Sequence, residues 1–180
     1  MRNEKVKVLE AIRPMEPEEV IAHTVRGQYD TGLIDGKVVP AYRNEPNVNP
    51  QSDTETFVAM KLSVENWRWA EVPFYIRSGK RLAAHTTQVV IGFRRAPLLL
   101  FGKHLSQDIR PNRLVMHIQP DEGITLDIHA KYPGPNVNVA NIPLDFSYSD
   151  FGEQTAATGY ETLLYECMIG EPTLFHRYDS

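Results

Sequence analysis

Three cationic side chains, Arg77, Lys80 and Arg81, lie within five residues at the end of an apolar segment. Gly79 between them permits a tight turn, because glycine has no Cβ. Such a turn can direct the compact ammonium of Lys80 and a planar guanidinium toward one anion. Each charge-assisted hydrogen bond to a phosphate contributes about 1.5–3 kcal/mol. The pattern therefore predicts an anion site, with solvated turn cations in surface ion pairs as the alternative.

A second candidate is Gln119, which precedes Pro120 at the end of a predicted strand. Its amide can extend from the rim of a sheet toward a sugar hydroxyl, or bond to nearby backbone instead. The two carboxylates that follow, Asp121 and Glu122, are expected to be solvated in a turn rather than to act as a catalytic pair.

Several motifs of known chemistry are missing from the sequence. No G-x-G-x-x-G fingerprint follows a strand, no G-x-S-x-G elbow occurs, and the six histidines show no metal-ligand spacing. The sequence therefore predicts no dinucleotide fold, serine nucleophile or metal site in this chain. The single cysteine, Cys167, is expected to be a small core residue, and its inability to form an internal disulfide favours a reducing, cytoplasmic setting.

Length and charge limit the class of protein. The chain has 180 residues, which suits one domain covering residues 1–180. Its formal net charge of −4 argues against a broad nucleic-acid surface, so Arg94, Arg95 and Lys103 are not interpreted as a nucleic-acid site. No apolar run approaches the ~18 residues that a membrane helix requires, so no membrane partner is expected.

Hydrophobic periodicity predicts an α+β domain: a large, mainly antiparallel sheet with helices packed on one face, and no Rossmann domain. Helices are predicted at residues 3–12 and 158–168, the second with Thr158 and Glu161 as a capping box. Strands are predicted at residues 20–29, 57–64, 74–77, 89–93, 114–118, 124–130 and 144–148. Residues 30–53 are rich in turn signals, prolines and asparagines and are predicted to form a long irregular surface loop.

The clearest alternation of apolar and polar residues is at 124–130. Successive side chains of a strand point to opposite faces of its sheet. The aliphatic residues at the even positions are therefore expected to face a core. Thr125, Asp127 and His129 are expected to face water or a partner.

Two long segments carry a family resemblance: Arg-Asn-Glu-Lys-Val-Lys-Val-Leu at residues 2–9, and Val-Pro-Phe-Tyr-Ile-Arg-Ser-Gly-Lys-Arg-Leu at residues 72–82. Shorter matches follow in order at residues 26–29, 56–59, 64–69, 118–122 and 159–164. Together these segments span nearly the whole chain. The sequence resembles glucose-6-phosphate dehydrogenase, above all its bacterial members.

The resemblance implies that the chain is the C-terminal domain of an enzyme of the pentose phosphate pathway, which oxidises glucose 6-phosphate to 6-phosphogluconolactone. In that family, NADP and the catalytic histidine are held by an N-terminal Rossmann-like domain, whose motifs this chain does not contain. No catalytic residue and no bound cofactor are therefore expected here, and the chain alone is expected to be inactive.

Three residues of the chain are implied to contact substrate. Lys80 matches a lysine that hydrogen-bonds the sugar phosphate, and Gln119 matches a glutamine that reaches the same pocket in some members. His85 stands where the family usually has a second substrate-contacting Lys or Arg. An imidazole is neutral over much of the physiological pH range, so this contact is expected to be weaker or pH-dependent.

Some relatives bind a second, structural NADP on this domain through several basic residues. The matching positions of this chain are Thr86, His117, Thr125 and Asp127, while Arg77 and Asp145 alone fit the pattern. No structural dinucleotide is therefore expected.

The resemblance also implies assembly into a homodimer or tetramer through the sheet, with residues 124–130 contributing. The expected partners are glucose 6-phosphate, the N-terminal domain of the same enzyme and a second copy of the chain. The alternative is a non-enzymatic module that binds sugar phosphates or a protein, with which the loop at residues 30–53 and the acidic net charge are compatible.

Overall fold

A computed structural model describes residues 2–95, 110–136, 138–152 and 159–178. The helices are α1 (Arg2–Glu10), α2 (Pro17–His23) and α3 (Gly159–Ile169). The strands are β1 (Thr24–Gly27), β2 (Gly32–Ile34), β3 (Lys37–Val39), β4 (Phe57–Leu62), β5 (Phe74–Gly79), β6 (Thr87–Gly92), β7 (Arg113–Gln119), β8 (Gly123–Lys131) and β9 (Val139–Ser147). Every pairing between these strands is antiparallel, which confirms the α+β class, although the described strands form three sheets rather than one.

The chain divides into two compact units: unit 1 contains residues 1–84 and 158–180, and unit 2 contains residues 85–157. That residues 1–180 act as a single domain stays a prediction.

Unit 1 is built on the antiparallel sheet β1–β4–β5. Helix α2 leads directly into β1 and contacts both β1 and β4. After helix α1, Ile12 forms an isolated antiparallel β-bridge with Val64. Val6 of α1 and Val64 are among the buried apolar residues of unit 1. In this strand order β5 is an edge strand of the sheet, and the turn that carries Lys80 follows its end.

The predicted strand at residues 20–29 is wrong in its first half, which belongs to α2. Pro17 occupies the first turn of that helix, where its missing N–H costs nothing. Glu19 accepts a hydrogen bond from the backbone N–H of Glu16 at 3.0 Å as part of a capping box. These local signals outweigh the β-branched residues that suggested a strand.

The segment at residues 30–53 is more regular than predicted. It contains the hairpin β2–β3 and a 3₁₀ turn at Tyr42–Asn44. Asp35 and Gly36 connect the two strands with φ of 51° and 74°. Two consecutive residues in the left-handed region form the tight turn that an Asp-Gly pair favours.

The two predicted helices are present as α1 and α3. Thr158, the predicted cap of α3, lies outside the described residues. The apolar stripe of α3, represented by Tyr160 and Leu164, is exposed, and so is Cys167. Cys167 is therefore not the core residue that its apolar neighbours suggested.

Unit 2 is the four-stranded antiparallel sheet β6–β7–β8–β9. One face is apolar, because its rows consist of paired aliphatic and aromatic residues: Val89, Met116, Ile124 and Phe146 in one row, and Ile91, Leu114, Leu126 and Leu144 in the next. The opposite face carries Val115 and Asp127, both buried. We call these the apolar face and the polar face.

The alternation predicted for β8 is present, but two of its residues have the opposite exposure. Ile124, expected in a core, is 41% exposed, whereas Asp127, expected to face water or a partner, is 9% exposed. Leu126, Ile128 and Ala130 on one face and Thr125 and His129 on the other are all half-buried. Asp127 is covered because Arg113 and Asn141 on the neighbouring strands hydrogen-bond to it. Periodicity shows which residues share a face but not which face is covered.

Candidate functional site

The turn that carries Lys80 is fixed at its base by β4 and β5. Gly79 pairs with Phe57, and the backbone N–H of Lys80 donates to the carbonyl of Thr56 at 2.8 Å. A Cβ on Gly79 would lie 2.9 Å from Cδ2 of Phe57 and 3.3 Å from the carbonyl oxygen of Thr56. Glycine is therefore required here by the close approach of β4.

Lys80 itself is exposed. Within the described part of the chain, neither its ammonium nor the guanidinium of Arg77 has a hydrogen-bond or ion-pair partner. Two cavities of unit 1, of about 690 and 730 Å³, are lined by other residues. The exposed ammonium is thus available to an anion, on a turn whose backbone is held by Thr56.

Arg81 differs from Lys80, because its guanidinium is already paired. It forms an ion pair with Glu45 and lies 5.4 Å from the centre of the Tyr29 ring. The Tyr29 hydroxyl and the Glu45 carboxylate raise the pKa of Arg81 above its ordinary value. Arg81 is therefore not the free anion-binding fork that the sequence allowed. Glu45 is 36 residues away, and no sequence signal connects the two.

The long segment between β1 and β4 is held against the end of β1. Gln28 donates to the carbonyls of Ser52 and Thr54, both at 2.8 Å. Arg43 donates to the side-chain oxygen of Gln28 at 3.0 Å and to Asp53 at 3.1 Å. The segment therefore delivers Glu45 to the Lys80 turn as part of an ordered structure.

His85 and Gln119 belong to unit 2, whereas Lys80 belongs to unit 1. Thr87, the first residue of β6, pairs with Gln119, the last residue of β7. His85 and Gln119 therefore come to the same end of the β6–β7 pair, and both are exposed.

Comparison with known proteins identifies the family. The model of the glucose-6-phosphate dehydrogenase C-terminal domain matches residues 1–180. The chain belongs to this family. It is 48% identical to glucose-6-phosphate 1-dehydrogenase of Bacillus subtilis and 45% identical to that of Treponema pallidum, over 100% of the chain in each case. It covers 37% and 35% of those relatives, so it spans about a third of their length.

Solved structures of the family agree with this assignment. A glucose-6-phosphate dehydrogenase in complex with its substrate glucose 6-phosphate aligns with a TM-score of 0.84 and 34% identity, over 99% of this chain and 35% of that one. The enzyme from Mycobacterium avium aligns with a TM-score of 0.76 and 32% identity, over 99% of this chain and 34% of that one.

The polar face of unit 2 in this glucose-6-phosphate dehydrogenase domain is occupied by its own side chains. The Asp127 carboxylate accepts hydrogen bonds from Arg113 and Asn141. These bonds, and the one from Arg113 most strongly, hold the pKa of Asp127 below its usual range. Nε2 of His117 lies 3.2 Å from Oγ1 of Thr125. An internally paired carboxylate at the centre of this face is unsuited to a phosphate, because like charges repel.

The residues that the structure describes contain no group of three or more His, Cys, Asp or Glu side chains that could hold a metal ion. None of the described helices combines the length and the apolar character needed to cross a bilayer. Lys103, part of the rejected nucleic-acid interpretation, lies outside the described residues.

Proposed function

We propose that this domain forms part of the substrate cleft of an NADP-dependent glucose-6-phosphate dehydrogenase, in which Lys80 donates hydrogen bonds to the phosphate of glucose 6-phosphate. The reaction removes a hydride from C1 of the sugar to NADP and a proton from the C1 hydroxyl to a base. The dinucleotide and the base would be held by an N-terminal domain. This chain would contribute binding and orientation, which lower the barrier by fixing the reacting geometry.

One observation carries the proposal: the unpaired ammonium of Lys80 stands on a strand end fixed by Thr56, within a chain whose whole length matches the family. An ammonium free of internal partners retains its full capacity to bind an anion. The exposure of Lys80 is compatible with a cleft that another domain completes.

His85 and Gln119 are proposed as secondary contacts to the same substrate. Their location at one end of the β6–β7 pair supports a shared role. Gln119 can donate to a sugar hydroxyl, and His85 can donate one hydrogen bond when neutral and two when protonated. The cytoplasmic setting and the preference for NADP stay predictions.

The second part of the proposal is that two copies of the chain assemble through the apolar face of unit 2. The rows of paired aliphatic and aromatic residues make a continuous apolar surface, and Ile118, Ile124, Leu144 and other members are exposed. Large exposed apolar patches mark interaction sites, and a two-fold axis lets one patch cover its copy.

The decisive experiment combines the chain with the N-terminal domain of the Bacillus subtilis relative and measures NADP reduction with glucose 6-phosphate. We expect activity from the mixture and none from the chain alone. Lys80→Ala should lower kcat/KM roughly 10- to 100-fold, because one charge-assisted bond of about 1.5–3 kcal/mol is lost. Lys37→Ala, which removes an exposed lysine from the hairpin of the same unit, is the matched control.

Three outcomes would contradict the proposal. They are turnover by the chain alone, an inactive mixture, and equal kinetics for Lys80→Ala and Lys37→Ala. Micromolar binding of glucose 6-phosphate to the chain alone, measured by calorimetry, would favour the non-enzymatic sugar-phosphate module instead, because an open surface supplies too few contacts for that affinity.

A further inference from the structure

The residue that follows Lys80 has an unusual backbone conformation. Arg81 has a φ of 50°, in the left-handed region that residues with a side chain seldom occupy. Such conformations persist where surrounding contacts enforce them. Here the contacts are the Glu45 carboxylate and the Tyr29 ring. We call Tyr29, Glu45 and Arg81 the clamp.

The clamp is closed on itself. The Tyr29 hydroxyl donates to Oε1 of Glu45 at 3.2 Å, and this oxygen also accepts from Arg81. The ring of Tyr29 packs edge-on against Tyr42, with centroids 5.8 Å apart. Each member of the clamp therefore restricts the position of the other two.

The clamp is also joined to the backbone of Lys80 through one residue. Thr56 accepts from the backbone N–H of Tyr29 through its hydroxyl at 3.0 Å. Its carbonyl accepts from the backbone N–H of Lys80 at 2.8 Å. The backbone of Lys80 is thus fixed at its own N–H by Thr56, and at the next residue by the contacts of Arg81.

This ion pair is more buried than the Arg26–Glu55 pair of the same unit. The side chains of Glu45 and Arg81 are 19% and 34% exposed. Those of Arg26 and Glu55, which form a pair at 2.8 Å in the same unit, are both more exposed. Exposed pairs contribute little because water screens them, whereas a shielded pair with a stacked guanidinium holds its geometry more firmly.

We propose that Glu45 and Tyr29 are positioning residues for the substrate-binding lysine: through Arg81 they fix the backbone from which Lys80 reaches the phosphate. This inference rests on the proposed function of Lys80. A lysine carries its charge at the end of a flexible four-carbon side chain. The effective concentration of the ammonium at an anion therefore depends on where the lysine Cα is held. Neither Glu45 nor Tyr29 needs to contact the substrate for this effect.

The first test requires no catalysis. Hydrogen exchange of the Lys80 amide is measured by NMR in the chain, in Glu45→Gln and in Tyr29→Phe, which retains the ring. We expect exchange at Lys80 to become at least about 5-fold faster in both variants, because the turn opens more often when the clamp is weakened. Glu55→Gln, which breaks the exposed pair with Arg26, should leave it unchanged. Equal exchange in all four proteins would overturn the inference.

The second test uses the chain combined with the N-terminal domain of the Bacillus subtilis relative. Glu45→Gln should raise KM for glucose 6-phosphate roughly 3- to 10-fold with kcat changed less than 2-fold, because binding is weakened while the reacting groups are untouched. A structural defect alone would instead lower the active fraction, and therefore kcat. The pair Glu45→Arg with Arg81→Glu should recover part of the affinity by restoring the opposite charges.

The pattern of results separates the two proposals. If Lys80→Ala raises KM and Glu45→Gln does not, the clamp inference fails while the proposed function stands. If Lys80→Ala leaves kcat/KM unchanged, the proposed function fails and the positioning role fails with it. A raised KM in Lys80→Ala, Glu45→Gln and Tyr29→Phe, but not in Glu55→Gln, supports both.

Discussion

Arg113 donates two hydrogen bonds to the same carboxylate oxygen of Asp127, from Nε at 3.0 Å and from Nη2 at 2.7 Å. Asn141 donates to the other oxygen of Asp127 at 3.3 Å. The three residues stand on β7, β8 and β9, so this network connects three adjacent strands. Charge-assisted bonds of this kind, on a buried carboxylate, stabilise one register of the sheet.

The first prediction concerns pH. The bonds from Arg113 and Asn141 keep the pKa of Asp127 below its usual range, so its contribution to stability is present above the unfolded value of about 3.9. That contribution is lost as pH falls through this value toward the folded pKa. Unit 2 should therefore unfold at a lower urea concentration below about pH 4. Asp127→Asn should lower the midpoint at pH 7 and flatten the acid dependence.

Amide signals of β7–β9 are the appropriate measure, because both tryptophans, Trp67 and Trp69, lie in unit 1 and do not report on this sheet. Asp121→Asn, an exposed turn carboxylate in the same unit, serves as the control. An identical acid profile for Asp127→Asn and the parent chain would contradict the prediction.

The second prediction concerns the turn that carries Lys80. Gly79→Ala would place a Cβ 2.9 Å from Cδ2 of the Phe57 ring and 3.3 Å from the carbonyl oxygen of Thr56, so the ring and the Thr56 backbone must shift. We expect a loss of about 1–3 kcal/mol in the stability of unit 1, as for other overpacked sites. Tryptophan fluorescence during urea unfolding measures it. Gly27→Ala, in β1 of the same sheet with nothing within 4 Å of its Cβ, should change stability far less.

The third prediction concerns His85. In the combined enzyme, His85→Lys should lower KM for glucose 6-phosphate, because a lysine ammonium brings a full positive charge and three hydrogen-bond donors to this position. KM at one fixed pH is the measured quantity. His23→Lys, at the end of α2, controls for added charge. An unchanged KM for His85→Lys would contradict a contact between this position and the phosphate.

The fourth prediction concerns assembly. Ile124→Lys places a charge on the apolar face and should reduce the mass of the particle measured by light scattering. Val90→Lys changes a similarly exposed residue on the opposite face of the same sheet and should leave the mass unchanged. A mass that falls for Val90→Lys alone would place the interface on the polar face. If Ile124→Lys differs in mass from the parent chain only when the N-terminal domain is present, then this domain, not a second copy, covers the apolar face.

Local patterns predicted much of the fold. Strands β4 to β8, the last residues of β9, helix α1 and the Gly79–Lys80 turn follow from periodicity and turn chemistry, because each depends on neighbours in the sequence. The first five residues of β9, from Val139, were not predicted as strand. Helix α2 and the β2–β3 hairpin had usable signals that β-branched content and loop-like composition obscured. Pro17 with Glu19 indicated the helix, and Asp35-Gly36 indicated the hairpin.

The sequence by itself determined the family, the antiparallel α+β class and Lys80 as the candidate for phosphate binding, since these are carried by residue types at fixed short spacings. Only the tertiary structure decided that Arg81 is paired with Glu45 rather than free, and that Asp127 rather than Ile124 is covered. Both depend on contacts between residues far apart in the chain. The face to which a strand residue points is set by its position in the local sequence. Its burial and its ion-pair partner are set by the distant segments that the fold places beside it.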